Sequence, residues 1–154
     1  MPTTPNLKPI LLVEDNLNDI ELVLNALKRN NLANKVITAR HGGEALDYLY
    51  RRGEHAGRTG DDPIFILLDL KMPKVDGLEV LQQVKSDEAL KVIPVVMLTS
   101  SSEEADLVRS YRLGVNAYVI KPVDFAQFVE AIRQLGVFWA VINMPPPLAA
   151  STTP

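Results

Sequence analysis

The sequence contains no cysteine, and its 154 residues carry a formal net charge of only −3. The absence of cysteine excludes disulfide bonds, thiolate catalysis and metal sites with cysteine ligands. Because nucleic-acid binding requires clustered lysine and arginine, an acidic chain of this kind predicts no nucleic-acid partner. No apolar run approaches the ~18 residues of a membrane span, and no signal peptide opens the chain. We therefore expect a cytoplasmic protein with no membrane partner.

Five short apolar runs recur along the chain, and segments with helical periodicity separate them. Nearly continuous apolar runs are typical of parallel strands buried on both faces, and the crossovers between such strands usually contain a helix. The runs cover residues 10–13, 36–38, 64–68, 93–98 and 117–120. A β-α order repeated five times predicts an α/β three-layer sandwich, with a five-stranded parallel sheet and five helices.

Helix signals follow each run. We expect helices over about 17–30, after Gly42-Gly43, after Asp76-Gly77, after 101–104 and after Asp124. Residues 51–62 form a polar loop longer than the roughly 2–6 residues usual at such junctions, which marks it as a candidate functional loop. We divide the chain into a flexible N-terminal segment at 1–8, one domain at 9–142 and a disordered, proline-containing tail at 143–154.

Polar side chains follow the predicted strands at their carboxyl ends, the edge where open α/β sheets bind ligands. They are Glu14 and Asp15, then Asp69, Thr99 and Lys121. Carboxylates held at 4 Å repel one another by about 4 kcal/mol per pair at an effective dielectric of ~20, so a cation is needed. Mg²⁺ prefers carboxylate oxygens, carbonyl oxygens and water, and a lysine with a hydroxyl adds donors for phosphate. The sequence therefore predicts a magnesium-dependent phosphoryl pocket.

The same residues resemble a known family, the receiver domain of two-component response regulators. The resemblance covers about residues 8–136 and rests on five motifs in order: Glu14-Asp15, Asp69-Leu70-Lys71-Met72-Pro73, Asp76-Gly77, Thr99-Ser100, and Tyr118 ahead of Lys121-Pro122. It implies a flavodoxin-like receiver fold. It also implies a single-domain response regulator that accepts a phosphoryl group from a histidine kinase on Asp69.

The resemblance assigns metal ligands to this chain. Asp15, Asp69 and the backbone carbonyl of Lys71 are implied to bind Mg²⁺, and Glu14 is implied to act directly or through water. Many relatives have Asp where this chain has Glu14. The longer arm favours contact through water, and we expect metal binding to survive the change.

The resemblance also assigns roles around the phosphoryl group. Thr99 and Lys121 are implied to hold its oxygens, and Thr99 and Tyr118 are implied to move together as the conformational switch. The Lys121-Pro122 peptide bond is implied to be cis, consistent with the lower cis penalty before proline.

Residues 136–142 are apolar all round, more than one buried stripe requires. Together with the long loop before the third strand, this feature resembles single-domain regulators that partner bacterial phytochrome histidine kinases and form symmetric dimers. It implies a homodimer through the predicted fourth helix, fifth strand and fifth helix. The implied dimer residues are Tyr118, Phe138, Trp139, Val141 and Ile142. A helix end that folds back on its own core is the alternative.

Other functions compete with a stand-alone switch. A phosphorelay intermediate that passes its phosphoryl group to a histidine phosphotransfer protein is compatible with the same residues. A haloacid-dehalogenase-like phosphatase requires a second Asp two residues after its nucleophile, and this chain has Lys71 at that position. A pseudo-receiver lacks the acceptor or the lysine, and both are present. We therefore expect a signalling protein that catalyses only its own phosphorylation and dephosphorylation, not an enzyme with other substrates.

Overall fold

The computed structural model describes residues 8–29, 34–70, 72, 75–99, 112–121 and 124–135, with the backbone alone at 29, 125, 132, 134 and 135. Five parallel strands form one sheet in the order β2-β1-β3-β4-β5. The strands are β1 (Ile10–Val13), β2 (Val36–Ala39), β3 (Phe65–Asp69), β4 (Val95–Thr99) and β5 (Ala117–Ile120). The predicted α/β class and five-stranded parallel sheet are confirmed.

Four α-helices lie within the described residues: α1 (Leu17–Arg29), α2 (Gly42–Tyr50), α3 (Gly77–Ser86) and α4 (Phe125–Leu135). A single 3₁₀ turn, Gly53–His55, follows α2. The helix named α4 here is the fifth helix of the prediction, and the predicted fourth helix begins in a stretch outside the described residues. No helix in the described part of the chain combines the length and apolar character needed to cross a membrane.

The strand within the fourth apolar run, residues 93–98, begins two residues later than the hydrophobic pattern predicts. Ile93 still belongs to the preceding turn, because its N–H donates to the carbonyl of Leu90 at 2.9 Å. Pro94 has no N–H to donate to a ladder. The strand therefore starts at Val95.

Two apolar layers cover the two faces of the sheet. Successive side chains of a strand point to opposite faces, and neighbours in β1 accordingly belong to different clusters. Leu11 and Val13 pack with α2 and α3, whereas Ile10 and Leu12 pack with α1 and α4. All four are fully buried, and burial of each such side chain stabilises the fold by roughly 1.5–3 kcal/mol.

The sheet order brings the ends of β1 and β3 together. Val13 pairs with Leu68, so the next residues, Glu14 just after β1 and Asp69 at the last position of β3, lie side by side. β2 lies on one side of β1, whereas β3, β4 and β5 follow on the other side, so the direction in which strands are added reverses at β1. Open α/β sheets bind ligands at such a point.

Candidate functional site

Three carboxylates converge at the ends of β1 and β3. One oxygen each from Glu14, Asp15 and Asp69 lies within 4.8 Å of the others. Glu14 is fully buried and Asp69 is 4% exposed, whereas Asp15 is half-buried. The cluster therefore concentrates negative charge where water solvates it poorly.

The Lys121 ammonium extends into this cluster from the end of β5. Its Nζ lies 3.0 Å from Oε1 of Glu14, 3.0 Å from Oδ1 of Asp69 and 3.1 Å from Oδ2 of Asp19. The Lys121 side chain is about one-fifth exposed. One ammonium thus faces three carboxylates within ion-pair distance.

The Lys121 charge does not offset the effect of burial on the pKa values of Glu14 and Asp69. Burial raises the pKa of Glu14 to about 7, with the negative charge of Asp69 adding to the effect. Burial likewise raises the pKa of Asp69, although Lys121 opposes the shift. Burial alone lowers the pKa of Lys121, but its hydrogen bonds with Asp69 and Glu14 outweigh that effect and raise the pKa well above its ordinary value. The pocket stabilises added positive charge.

The residues present fit a divalent cation. Carboxylate oxygens are the ligands that hard divalent ions prefer, and three of them already converge. Burial raises the pKa values of Glu14 and Asp69, and a bound cation would favour their charged forms.

The start of α1 holds the Glu14 side chain and the Asp19 backbone in place. The Asn16 backbone N–H donates to Oε2 of Glu14 at 3.2 Å, and the Asn16 side chain accepts from the Asp19 N–H at 3.0 Å. Sequence reasoning missed Asp19. Asn followed three residues later by an acid is typical of a helix N-terminus, and this pattern alone did not indicate a contact with Lys121.

Arg40 is a second residue that sequence reasoning missed. The Arg40 guanidinium donates to the backbone carbonyl of Asp15 at 3.2 Å, and this bond joins the loop after β2 to the loop after β1. The backbone N–H of Arg40 donates to the Glu44 carboxylate at 2.9 Å. No local pattern indicated the contact with Asp15, because the two residues are 25 positions apart.

The first residue of α3, Gly77, packs directly against the backbone of Asp69. A Cβ atom at Gly77 would overlap the carbonyl oxygen of Asp69, so only glycine allows this close approach. The Gly77 N–H donates to the Leu70 carbonyl at 3.1 Å. Asp76 and Glu79 cap the helix reciprocally, with bonds of 3.0 and 3.1 Å. The predicted Asp76-Gly77 helix start is therefore also a backbone support for the end of β3.

Comparison with known proteins identifies the family of this fold. The response regulator receiver domain family matches residues 10–133. The chain belongs to this family. The receiver domain is similar to the probable methanogenesis regulatory protein FilR2 of Methanothrix harundinacea, with 43% identity over 137 residues that cover 89% of this chain and 86% of the relative.

Two solved structures of response regulators are similar to the receiver domain. One is the bacteriophytochrome response regulator AtBRR, at 64% identity and a TM-score of 0.83, covering 91% of this chain and 100% of that chain. The other is the Mn²⁺-bound form of response regulator Rcp1, a protein of Synechocystis, at 39% identity and a TM-score of 0.72, covering 90% of this chain and 99% of that chain. The predicted relation to phytochrome response regulators is confirmed.

Thr99 and Tyr118 lie on the two strands beyond Asp69. Thr99 ends β4, is 1% exposed, and its carbonyl accepts from the Lys121 N–H at 2.7 Å. Tyr118 lies on β5 opposite Met97 and is 39% exposed. The receiver fold thus places the predicted phosphoryl residues at one sheet edge and the predicted switch tyrosine on the neighbouring strand.

Several predicted features fall outside the described residues. They are the backbone carbonyl of Lys71, the Lys121-Pro122 peptide bond, the predicted fourth helix, the tail at 143–154, and the dimer residues Phe138, Trp139, Val141 and Ile142. These features stay predictions.

Proposed function

We propose that this receiver domain accepts a phosphoryl group on Asp69 from a sensor histidine kinase, in a Mg²⁺-dependent reaction. The observation that carries the proposal is the Lys121 ammonium, 3.0 Å from a buried Asp69 oxygen and beside the carboxylates of Glu14 and Asp15. A nucleophile, a fixed positive charge and oxygen ligands for a cation are the parts that phosphoryl transfer needs.

The Asp69 carboxylate acts as the nucleophile. Its oxygen attacks the phosphorus of a phosphohistidine, the phosphorus–nitrogen bond breaks, and the electron pair of that bond returns to the imidazole ring. Lys121 orients the phosphoryl group and offsets its charge through hydrogen bonds. Asp15, Asp69 and the Lys71 carbonyl would hold Mg²⁺, with Glu14 acting directly or through water, and the bound ion would supply further charge compensation. The protein changes only its own phosphorylation state in this scheme.

The response to phosphorylation uses Thr99 and Tyr118. An acyl phosphate carries about two negative charges, and the Thr99 hydroxyl at the end of the neighbouring strand donates to it. This bond draws Thr99 inward and leaves room for Tyr118, which is 39% exposed at rest. The switch is a shift between two populations, biased by the phosphoryl group.

The similarity to AtBRR supports a bacteriophytochrome histidine kinase as the phosphoryl donor, because that relative is named a bacteriophytochrome response regulator. We propose a cytoplasmic homodimer formed through the predicted fourth helix, β5 and α4, with Tyr118 on the interface and no nucleic-acid or membrane partner. The domain covers residues 9–142. Sedimentation of the protein with and without a phosphoryl mimic tests the dimer, and a monomer under both conditions contradicts it.

The central experiment is incubation with acetyl phosphate and Mg²⁺, followed by intact mass measurement. We expect the wild-type protein to gain one phosphoryl group and Asp69→Asn to gain none. Asp61→Asn, an exposed aspartate in the loop before β3, is the matched control and should behave as wild type. Phosphorylation of Asp69→Asn to the wild-type level would contradict the assignment.

A further inference from the structure

Asp19 forms an ion pair with Lys121 on the α1 side of the pocket. Its Oδ2 lies 3.1 Å from Nζ, nearly as close as the oxygens of Glu14 and Asp69 at 3.0 Å. Among the described residues, the oxygens that converge for a cation come from Glu14, Asp15 and Asp69, without Asp19. Asp19 therefore contacts the lysine without belonging to the candidate metal set.

The local geometry of α1 directs Asp19 toward the lysine. In a capping box, the acid three residues after the N-cap accepts a hydrogen bond from the N-cap backbone N–H. Here the Asn16 N–H donates to Oε2 of Glu14 instead, at 3.2 Å. The Asp19 carboxylate accepts from Lys121, 102 positions away in the chain. An ordinary helix start thus becomes part of the pocket.

Three carboxylates lie within ion-pair distance of the Lys121 ammonium, and Asp19 also accepts a hydrogen bond from it at 3.1 Å. A phosphoryl oxygen that approaches Lys121 therefore competes with these carboxylates for the ammonium. The side chains of Glu14 and Asp69 are 0% and 6% exposed, and both belong to the cation set. The Asp19 side chain is 29% exposed, so water would solvate its carboxylate after the lysine is released. Asp19 is the carboxylate whose release is least unfavourable.

We propose that Asp19 is a positioning residue that holds Lys121 at rest and is exchanged for a phosphoryl oxygen when an anion enters the site. The inference rests on the proposed function of Asp69 and Lys121. By competing for the ammonium, Asp19 lowers the affinity of the pocket for phosphoryl anions. Asp19 forms no bond to phosphorus and acts only through Lys121.

The test uses Asp19→Asn, which removes the charge and keeps the side-chain shape. Glu21→Gln makes the same change in net charge at an exposed position of the same helix and serves as the matched control. The probe is beryllofluoride, a phosphoryl mimic, at a fixed excess of Mg²⁺, and calorimetry gives its dissociation constant. Initial rates with acetyl phosphate provide a second measurement.

We expect Asp19→Asn to bind beryllofluoride about two- to fivefold more tightly than wild type, the size expected for a partly exposed ion pair. Phosphorylation at low acetyl phosphate should accelerate by a similar factor. Glu21→Gln should match wild type, and Asp19→Glu should restore the wild-type affinity because it restores the charge. A merely structural loss would not tighten binding, so a gain identifies competition for Lys121.

The outcomes separate this proposal from the proposed function. Equal or weaker binding by Asp19→Asn, with a wild type that binds the mimic and takes phosphate, overturns the role of Asp19 alone. A wild type that neither binds the mimic nor takes phosphate on Asp69 overturns both. Thermal unfolding verifies that each variant folds, and Asp19→Ser supplies a second removal of the charge should Asp19→Asn fail to fold.

Discussion

Two clusters of charge in this receiver domain differ in how completely their charges are paired. In the pocket, three carboxylates surround Lys121, and the pKa values of Glu14 and Asp69 are raised. In the loop at 51–62, Arg58 donates to two backbone carbonyls and to the Asp62 carboxylate, and its guanidinium lies 4.3 Å from the centre of the Tyr48 ring.

The difference separates the candidate reactive site from a structural cluster. The Arg58 side chain is only 7% exposed, and its donors find ordinary partners within the protein. Arg51 similarly donates to the carbonyls of Arg58 and Gly60 at 2.9 and 2.7 Å. The long loop is therefore shaped by internal hydrogen bonds, whereas the described residues of the pocket hold more carboxylates than ammonium groups, an excess of negative charge that a bound cation would offset.

Replacement of the pocket lysine should have the largest effect. Lys121→Met removes the only positive charge that contacts Asp69 among the described residues. We expect the rate of phosphorylation by acetyl phosphate to fall by roughly 10²–10³, as when a preorganised charge is removed from other transition states. Initial rates by intact mass measure the change, and a loss of less than threefold would break the contrast with the loop.

Replacement of Glu14 should change how stability depends on pH. The folded pKa of Glu14, about 7, lies above its ordinary value of 4.5, so the folded state binds the proton more readily than the unfolded state. The metal-free wild type therefore loses stability as pH rises from about 4.5 to about 7.

Glu14→Gln lacks this loss, and in metal-free buffer at pH 8 we expect it to exceed wild type by about 1–3 kcal/mol in unfolding free energy. The difference should vanish near pH 4. Urea unfolding at several pH values, with chelator present, measures both. A constant difference across that range would show that Glu14 is not the titrating group.

Replacement of Arg58 should affect stability without affecting the chemistry. Arg58→Met keeps an apolar stem but loses the bonds to Tyr48, Asp61 and Asp62. We expect a loss of about 1–3 kcal/mol in unfolding free energy, since the Arg58 side chain is only 7% exposed and the part-buried bond to the Tyr48 carbonyl is lost. The rate of phosphorylation by acetyl phosphate should stay at the wild-type value in folded protein, and a tenfold fall would show that the loop takes part in the reaction.

Replacement of Tyr50 should have the smallest effect. Its hydroxyl donates to Asp87 at 2.7 Å, and this bond is the main cause of the lowered pKa of Asp87. An acid whose pKa is lowered by folding stabilises the protein at pH values above its ordinary pKa. This stabilisation is lost as pH falls through the folded pKa. Tyr50→Phe should therefore destabilise the protein at pH 7 by less than Arg58→Met does, and the deficit should shrink below about pH 4. Thermal unfolding at both pH values measures it.

The fold was largely predictable because its signals are local. Apolar runs such as 64–68 and acids placed just after them are visible in a few consecutive residues, and parallel pairing brings their ends to one edge. The bounds were less predictable, as Ile93 shows, because a turn hydrogen bond and not hydrophobicity decides where β4 begins.

The candidate site was predictable to the extent that its residues follow strands directly. Glu14, Asp15, Asp69 and Lys121 do so, and the structure brings them together. Asp19 lies one turn into a helix, where an acid is as compatible with simple capping as with a role in the pocket. Only its distance to Lys121 distinguishes the two.

By itself, the sequence determined the α/β class, the number of strands and the edge of the sheet where the acidic residues lie, because periodicity and strand-end chemistry are properties of short segments. Tertiary structure alone decided which charges share Lys121, how tightly Gly77 supports Asp69, and that Arg58 is buried. Each of these depends on contacts between segments distant in the chain, whose approach is set by the packing of helices on both faces of the sheet.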